Sequence, residues 1–197
     1  LSQYVDVFLK PLVENLPSYV RDTKHILNIL SDLEWEAGMF LVTLDVVTLY
    51  TNISHGLGLK ALRSFLYQRP AELLHHTEML LDMSSIILNN NVFLFNGVWY
   101  KQLQGVAMGS SFAPSLANLY MGWFESQHVW GRKSSMWTPF IIYWGRFIDD
   151  VIMIWSGTEA MLLSFVDHLN TNSCNITFSS TYSTTSVTYL DVTIFVD

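Results

Sequence analysis

Two adjacent aspartates, Asp149 and Asp150, stand between two apolar runs rich in β-forming residues, 140–143 and 151–155. Burying an ionised carboxylate without a partner is very costly, so these acids are expected at or beside a turn that joins the two strands. A solvated turn would satisfy them. The functional alternative is a bound divalent cation, because hard carboxylate oxygens are its usual ligands. The pair therefore predicts an antiparallel hairpin and leaves both interpretations open.

A third acid, Asp45, also closes an apolar run, residues 39–44, which indicates a buried strand with a carboxylate at its end. Three carboxylates on adjacent strand ends could share two Mg²⁺ ions about 3.5–4 Å apart, the arrangement that polymerases use. Spacing alone does not show that the two acid positions meet, so this remains a hypothesis about the fold.

The remaining pattern predicts a mixture of helices and strands. Helical periodicity marks residues 1–38 as a lead-in, then residues 57–68 and 71–88, a helix beginning near Pro114, and residues 159–169. Asn96-Gly97 between residues 92–95 and 98–100 predicts a tight β-hairpin. The tail predicts two more strands, the last over residues 187–194. The expected architecture is one α+β unit with a mainly antiparallel sheet packed on helices.

Composition restricts the function in several ways. Half of the residues are hydrophobic and only 14% are charged, against about 25% in a typical soluble domain. Together with an N-terminus that has no initiator Met, this favours an internal fragment whose apolar surfaces are covered by missing neighbours. Cys174 is the only cysteine, which excludes an internal disulfide and favours an intracellular, reducing location. Charges interrupt the longest apolar stretch, so no membrane partner is expected.

The charge balance speaks against nucleic-acid binding. The net charge is −7, and no Lys or Arg follows Arg146. Backbone phosphates are normally met by an excess of cations. Any such contacts are therefore expected from earlier segments or from parts of the protein outside this chain.

Several segments resemble, in the same order, the conserved motifs of reverse transcriptases, and most closely those of Penelope-like retroelements. The motif A, B and C counterparts are residues 44–53 (LDVVTLYTNI), 104–110 (QGVAMGS) with 113–121 (APSLANLYM), and 146–150 (RFIDD). Residues 16–23 (LPSYVRDT) and 189–194 (YLDVTI) also resemble that family, so the likeness covers nearly the whole chain.

The resemblance implies roles for six residues. Asp45, Asp149 and Asp150 correspond to the catalytic, metal-binding carboxylates. Tyr50 corresponds to the bulky ring that excludes a ribose 2′-hydroxyl, and Gln104 and Gly105 line the pocket for the incoming nucleotide. The implied fold is a polymerase palm, here residues 39–197, with fingers and thumb largely missing, so residues 1–197 form a partial reverse transcriptase domain.

The resemblance also implies partners and a location. The expected cofactor is a pair of Mg²⁺ or Mn²⁺ ions, and the expected partners are an RNA template, a DNA primer, deoxynucleoside triphosphates and the missing fingers, thumb and endonuclease regions of one polyprotein. The full-length element is expected to act in the nucleus. Two positions depart from the family pattern: Phe147 replaces a tyrosine, and Thr177 replaces a lysine that would protonate the leaving pyrophosphate.

Three functions are compatible with this sequence. The first is an RNA-directed DNA polymerase palm that is inactive when isolated. The second is a decayed or domesticated remnant that acts as an interaction module, which Thr177 and the acidic charge favour. The third is another palm enzyme such as a nucleotide cyclase, which has no reason to carry residues 104–121.

Overall fold

The computed structural model describes residues 1–196 and contains seven α-helices and eight β-strands over that range. In chain order these are α1 (Ser2–Glu14), α2 (Thr23–Ser31), β1 (Phe40–Val46), α3 (Leu49–Asn52), α4 (His55–Leu66), α5 (Thr77–Asn89), β2 (Val92–Phe95), β3 (Val98–Lys101), α6 (Phe112–His128), β4 (Ile141–Phe147), β5 (Asp150–Trp155), α7 (Glu159–Asn170), β6 (Phe178–Ser183), β7 (Ser186–Tyr189) and β8 (Val192–Phe195). The α+β class with antiparallel sheets packed on helices is confirmed.

Two compact units alternate along the chain. The first, unit 1, comprises residues 1–16 and 48–123, and the second, unit 2, comprises residues 17–47 and 124–197. Unit 1 is mainly helical and carries the β2–β3 hairpin. Unit 2 carries a four-stranded antiparallel sheet in the order β4-β5-β1-β6, and the separate β7–β8 hairpin.

One face of the unit 2 sheet is buried against helix α7. On β1 this face presents Val42, Leu44 and Val46, all fully or almost fully buried. Phe165 of α7 stacks on Trp155 of β5, with ring centroids 5.6 Å apart. Because strand side chains alternate between faces, the intervening residues of β1 point to the opposite side.

The opposite face of this sheet is covered only in part. Leu41, Ile152 and Ile154 pack there with Val187, Tyr189 and Ile194 of the β7–β8 hairpin. Val20, Ile26 and Met39 complete the cluster. Asp45 and Asp150 lie on the same face, at the other end of their strands. Strand alternation therefore places apolar residues under the hairpin and acids beyond it.

The sequence patterns predicted most elements correctly and some wrongly. Both predicted hairpins, 92–100 and 140–155, are present. Residues 71–88 are not one α-helix, because Ala71–His76 form a 3₁₀ helix before α5. Residues 187–194 are not one strand, because Leu190 has a left-handed φ of 53° and the chain reverses there into β8.

No helix among residues 1–196 combines the length and apolarity that crossing a bilayer requires.

Candidate active site

The three predicted carboxylates all belong to unit 2. Asp45 of β1 is paired in register with Asp150 of β5. Residues directly opposite each other in an antiparallel pair project to the same side, so these two carboxylates share one face of the sheet. Asp149 precedes Asp150 in the turn between β4 and β5. The fold thus brings together acids that lie about a hundred residues apart in the sequence.

The turn that carries the acids is tight. Phe147 and Asp150 are paired, so only Ile148 and Asp149 connect the two strands. Ile148 has φ 54°, in the left-handed region. A β-branched side chain is rarely found there, because its Cβ approaches the neighbouring carbonyl. No residue type typical of such turns marks the position, so a local sequence signal for its geometry is lacking.

The electrostatics of the acids reflect their partial burial. Burial raises the pKa of the Asp149 carboxyl, the negative charge of Asp45 raises it further, and Arg146 lowers it. Burial also raises the pKa of Asp150, and the charges of Asp149 and Asp45 add to this effect. The neighbouring carboxylates therefore make ionisation of Asp149 and Asp150 less favourable, and a cation at this edge would relieve that repulsion.

A cleft of about 270 Å³ opens beside Asp45 and Asp150. Hydroxyl-bearing residues of three strands line it, namely Thr43, Ser179, Thr181, Thr188 and Tyr189. Burial raises the pKa of the Tyr189 hydroxyl well above its usual value, and the charge of Asp150 raises it further. Tyr189 therefore stays protonated and acts here as a hydrogen-bond donor.

The donor chemistry of the site suits a hard divalent cation, because all three predicted ligands are carboxylates. Within residues 1–196, however, no three His, Cys, Asp or Glu side chains come close enough to form one metal-binding group. The structure thus supplies two facing carboxylates and a neighbouring third, without a finished ligand set.

The predicted nucleotide-pocket residues belong to unit 1. Tyr50 lies in the short helix α3 and is half-buried. Its carbonyl accepts a hydrogen bond from the Val106 amide at 2.7 Å. The Gly105 amide donates to the Ile53 carbonyl at 3.0 Å, and Gln104 is exposed. Backbone hydrogen bonds therefore join the loop that contains Gly105 to the segment that carries Tyr50.

Gly105 is required by this packing. It has φ 80°, and a Cβ at this position would lie 2.7 Å from the Tyr50 carbonyl oxygen and 2.8 Å from the Thr51 Cα. Only glycine permits both the conformation and the approach. Its carbonyl also lies 2.9 Å from Nε2 of His55, a contact that no pattern in the sequence indicated.

A second cleft, of about 330 Å³, lies beside Gly105 in unit 1. Val106, Ala107 and Ser110 contribute to its lining. The Ser110 hydroxyl is buried and has no hydrogen-bond partner among residues 1–196. Since buried polar groups are nearly always paired, this hydroxyl is available to a bound molecule.

Several solved structures share this fold at low sequence identity. Apo telomerase of Candida tropicalis, truncated from the C-terminal domain, superposes with a TM-score of 0.70 and 12% identity, over 98% of this chain and 43% of that chain. Telomerase of Candida albicans, in complex with a TWJ fragment of telomeric RNA, gives 0.75 and 11%, over 98% and 36%. The RNA polymerase complex inside a double-stranded RNA virus gives 0.69 and 11%, over 98% and 19%.

The chain thus spans less than half the length of these three chains. No protein-family model and no curated protein matches the sequence. At 11–12% identity the likeness establishes the fold and nothing finer. The chain has the palm-like α+β fold that telomerase and viral RNA polymerases contain.

Proposed function

We propose that this chain is the palm of a reverse transcriptase, which adds deoxynucleotides to a primer 3′-hydroxyl on an RNA template. The observation that carries the proposal is the register pairing of Asp45 with Asp150, with Asp149 beside them, in a sheet of palm-like fold. Polymerases place carboxylates at adjacent strand ends for this purpose.

Asp45, Asp149 and Asp150 are the residues proposed to hold Mg²⁺ or Mn²⁺. Two such ions, when bound, activate the attacking hydroxyl and stabilise the leaving pyrophosphate. The protein's part is to keep the carboxylates on one face of the sheet, beside an open cleft, with their backbone fixed. The mutual repulsion of the acids favours cation binding, because a divalent ion neutralises charges that burial makes costly.

Tyr50, Gln104 and Gly105 are proposed to contact the incoming deoxynucleoside triphosphate. The exposed Gln104 amide is free to meet a base or sugar, and the Gly105 loop fixes the Tyr50 backbone. The Tyr50 ring is proposed to exclude a ribose 2′-hydroxyl. The unpartnered Ser110 hydroxyl beside Gly105 offers one more polar contact.

The finer assignment is to a Penelope-like retroelement protein that acts in the nucleus. Its support is the order and spacing of residues 44–53, 104–121 and 146–150. The DNA primer, the RNA template, and the fingers, thumb and endonuclease regions are the partners that this assignment adds. Thr177 is exposed, and its carbonyl accepts from the Val47 amide at 2.8 Å; its side chain provides no general acid.

The decisive experiment is primer extension on an RNA template by the complete natural protein, comparing Asp149→Asn with wild type. Loss of a metal-binding carboxylate is expected to abolish extension, because metal positioning supplies most of the catalysis. Asp167→Asn, on the exposed side of α7, is the matched control and should retain activity. Unchanged extension by Asp149→Asn would refute the proposed metal-binding site. A wild-type protein without activity would favour the alternative that the chain is a decayed or domesticated remnant that acts as an interaction module.

Sugar selection is tested by Tyr50→Val. A smaller side chain opens room beside the 2′ position, so incorporation of ribonucleotides relative to deoxynucleotides is expected to rise. Tyr4→Val, in helix α1 of the same unit, serves as the control and should leave the ratio unchanged. An unchanged ratio with Tyr50→Val would mean that the Tyr50 ring contributes to packing and not to sugar selection.

A further inference from the structure

A buried ion pair lies directly behind the acids of unit 2. Nε of Arg146 on β4 donates to Oε1 of Glu125 on α6 at 2.7 Å, and both side chains are essentially inaccessible. The Ser18 hydroxyl donates to the other carboxylate oxygen at 2.6 Å. The Trp144 indole donates to Oε1 at 3.0 Å. Both carboxylate oxygens of Glu125 therefore have donors, and this carboxylate fixes the orientation of the guanidinium.

Arg146 also reaches the turn that carries the acids. Its second arm, Nη1, donates to the Ile148 carbonyl at 2.8 Å. Its own backbone is tied to a neighbouring segment, since its amide donates to Ser18 and its carbonyl accepts from Val20. The guanidinium is thus held at both ends, and its position sets the position of the Ile148 peptide.

The turn needs such an anchor. Ile148 has φ 54°, and a residue other than glycine in that region is strained and persists only where its surroundings impose it. Two more contacts complete the restraint. The Asp149 carbonyl accepts from the Val46 amide at 3.1 Å, and the Asp150 carbonyl accepts from the Tyr189 hydroxyl at 3.1 Å. Three successive carbonyls of this segment, residues 148–150, are therefore held from three directions.

Stability alone does not account for the ion pair. Replacing a buried pair by packed apolar residues is often neutral or stabilising, because the desolvation of two charges offsets their attraction. What an apolar pair cannot supply is a planar donor that binds a carboxylate and a backbone carbonyl at once. The geometry of the turn is therefore the property that this arrangement provides.

We propose that Arg146, oriented by Glu125, is a positioning residue that fixes the acid-bearing turn and so aims the Asp149 and Asp150 carboxylates during nucleotide addition. This inference rests on the proposed polymerase function. In this role Arg146 touches neither the substrate nor the cation, and it acts only through the Ile148 carbonyl.

The test compares Arg146→Lys with Trp144→Phe in the complete natural protein. Lysine keeps a positive charge for Glu125 but loses the fork that also binds the Ile148 carbonyl. Phenylalanine removes a different donor to the same carboxylate and leaves the turn contact in place. Residues that orient metal ligands typically change activity or metal affinity by about 10–100-fold. Arg146→Lys is therefore expected to lower kcat at least about tenfold and to raise the Mg²⁺ concentration needed for half-maximal rate. KM for the deoxynucleotide should stay nearly constant, and Trp144→Phe should lower only thermal stability.

Amide hydrogen exchange at residues 148–150 separates this inference from the proposed function. Arg146→Lys should speed exchange there while other strands of the sheet stay protected, whether or not the protein polymerises. If wild type is active and both variants share its kcat, Mg²⁺ dependence and exchange, Arg146 positions nothing and the inference is overturned. If wild type is inactive, the proposed function fails, and unchanged exchange in Arg146→Lys would then also overturn the positioning role.

Discussion

The two hairpins β2–β3 and β4–β5 have the same connectivity and opposite environments. Both join antiparallel strands through two residues. In β2–β3 every strand residue is exposed, including Phe95 and Trp99 at 68% each, although most are apolar. In β4–β5 the strands are mostly buried and the acids stand at the turn.

The turns differ in what holds them. Asn96 and Gly97 both have positive φ, 49° and 77°, which is the conformation that a type I′ hairpin requires and that this residue pair adopts readily. Ile148 adopts φ 54° against its own preference and is held by Arg146. One turn is specified by local sequence, whereas the other is specified by tertiary contacts. Substitutions at the two turns separate these two sources of order.

The largest effect is expected from Arg146→Met, which removes the tertiary anchor of the β4–β5 turn. Removing one partner of a buried ion pair leaves an uncompensated charge, here on Glu125, and costs about 3–5 kcal/mol of unfolding free energy. Arg21→Met is the control, because Arg21 pairs with Asp22 on the surface, at 2.8 Å, and exposed pairs of this kind contribute little to stability. Urea unfolding measures both, and a loss below about 1 kcal/mol for Arg146→Met would contradict the tertiary origin of this turn.

A smaller effect is expected from Gly97→Ala, which tests the local specification of β2–β3. A residue with a Cβ in the left-handed region costs about 1–2 kcal/mol. Gly56→Ala, at an ordinary φ in helix α4 with open space around its Cβ, should instead stabilise by about 0.5–1 kcal/mol. Native-state hydrogen exchange should show reduced protection of the β2–β3 hairpin in Gly97→Ala and increased protection of helix α4 in Gly56→Ala. A change of the same sign in both would contradict the view that local sequence specifies the β2–β3 turn.

The acids at the β4–β5 turn are expected to lower the free energy of unfolding in a pH-dependent way, and no such effect is expected from the β2–β3 hairpin. Because the pKa of Asp150 is raised in the folded state above its ordinary 3.8, the folded protein binds its proton more tightly than the unfolded chain does. The resulting destabilisation is absent at pH below that ordinary value and grows as the pH rises through the folded-state pKa. Asp150→Asn should therefore raise the melting temperature at neutral pH, and the gain should shrink as the pH falls. A gain that is independent of pH would show that the charge is not its cause.

The smallest change in stability is expected from Trp99→Ser on the exposed β2–β3 hairpin. Surface substitutions away from packed features usually stay within about 0.5 kcal/mol. The same change should reduce self-association at high concentration, because it removes an exposed aromatic ring. Thermal melting and light scattering measure the two effects, and a loss above about 1 kcal/mol would show that the hairpin packs in solution.

Sequence patterns predicted the elements whose signals are local. Asn96-Gly97 located its hairpin, and the apolar runs that end at Asp45 and surround Asp149-Asp150 located three strands of the sheet. The pairing of Asp45 with Asp150 was only a hypothesis, because register between distant strands leaves no local signal. The left-handed Leu190 was missed for a related reason, since leucine is not a typical turn residue and its packing against the core cluster of this face leaves no local signal.

The support of the acid turn was invisible in the sequence. Glu125 lies in the helix that begins with residues resembling motif B, but nothing in its neighbourhood marks it as the partner of Arg146. Thirty-nine residues separate Tyr189 from the carbonyl that it holds. Such contacts become recognisable only when helices and strands are assembled, because hydrogen bonds between distant residues have no periodicity.

The carbonyl contacts of residues 148–150 also bear on the order of synthesis. The Val46 amide is made long before Asp149, whereas the Tyr189 hydroxyl that holds Asp150 is made 39 residues after it. Contacts of this range form late, because loop closure must precede them. A ribosome-bound chain that has not yet released Tyr189 therefore lacks one of the three restraints on its acid-bearing segment, and that segment is fully restrained only when the β7–β8 hairpin has emerged and docked.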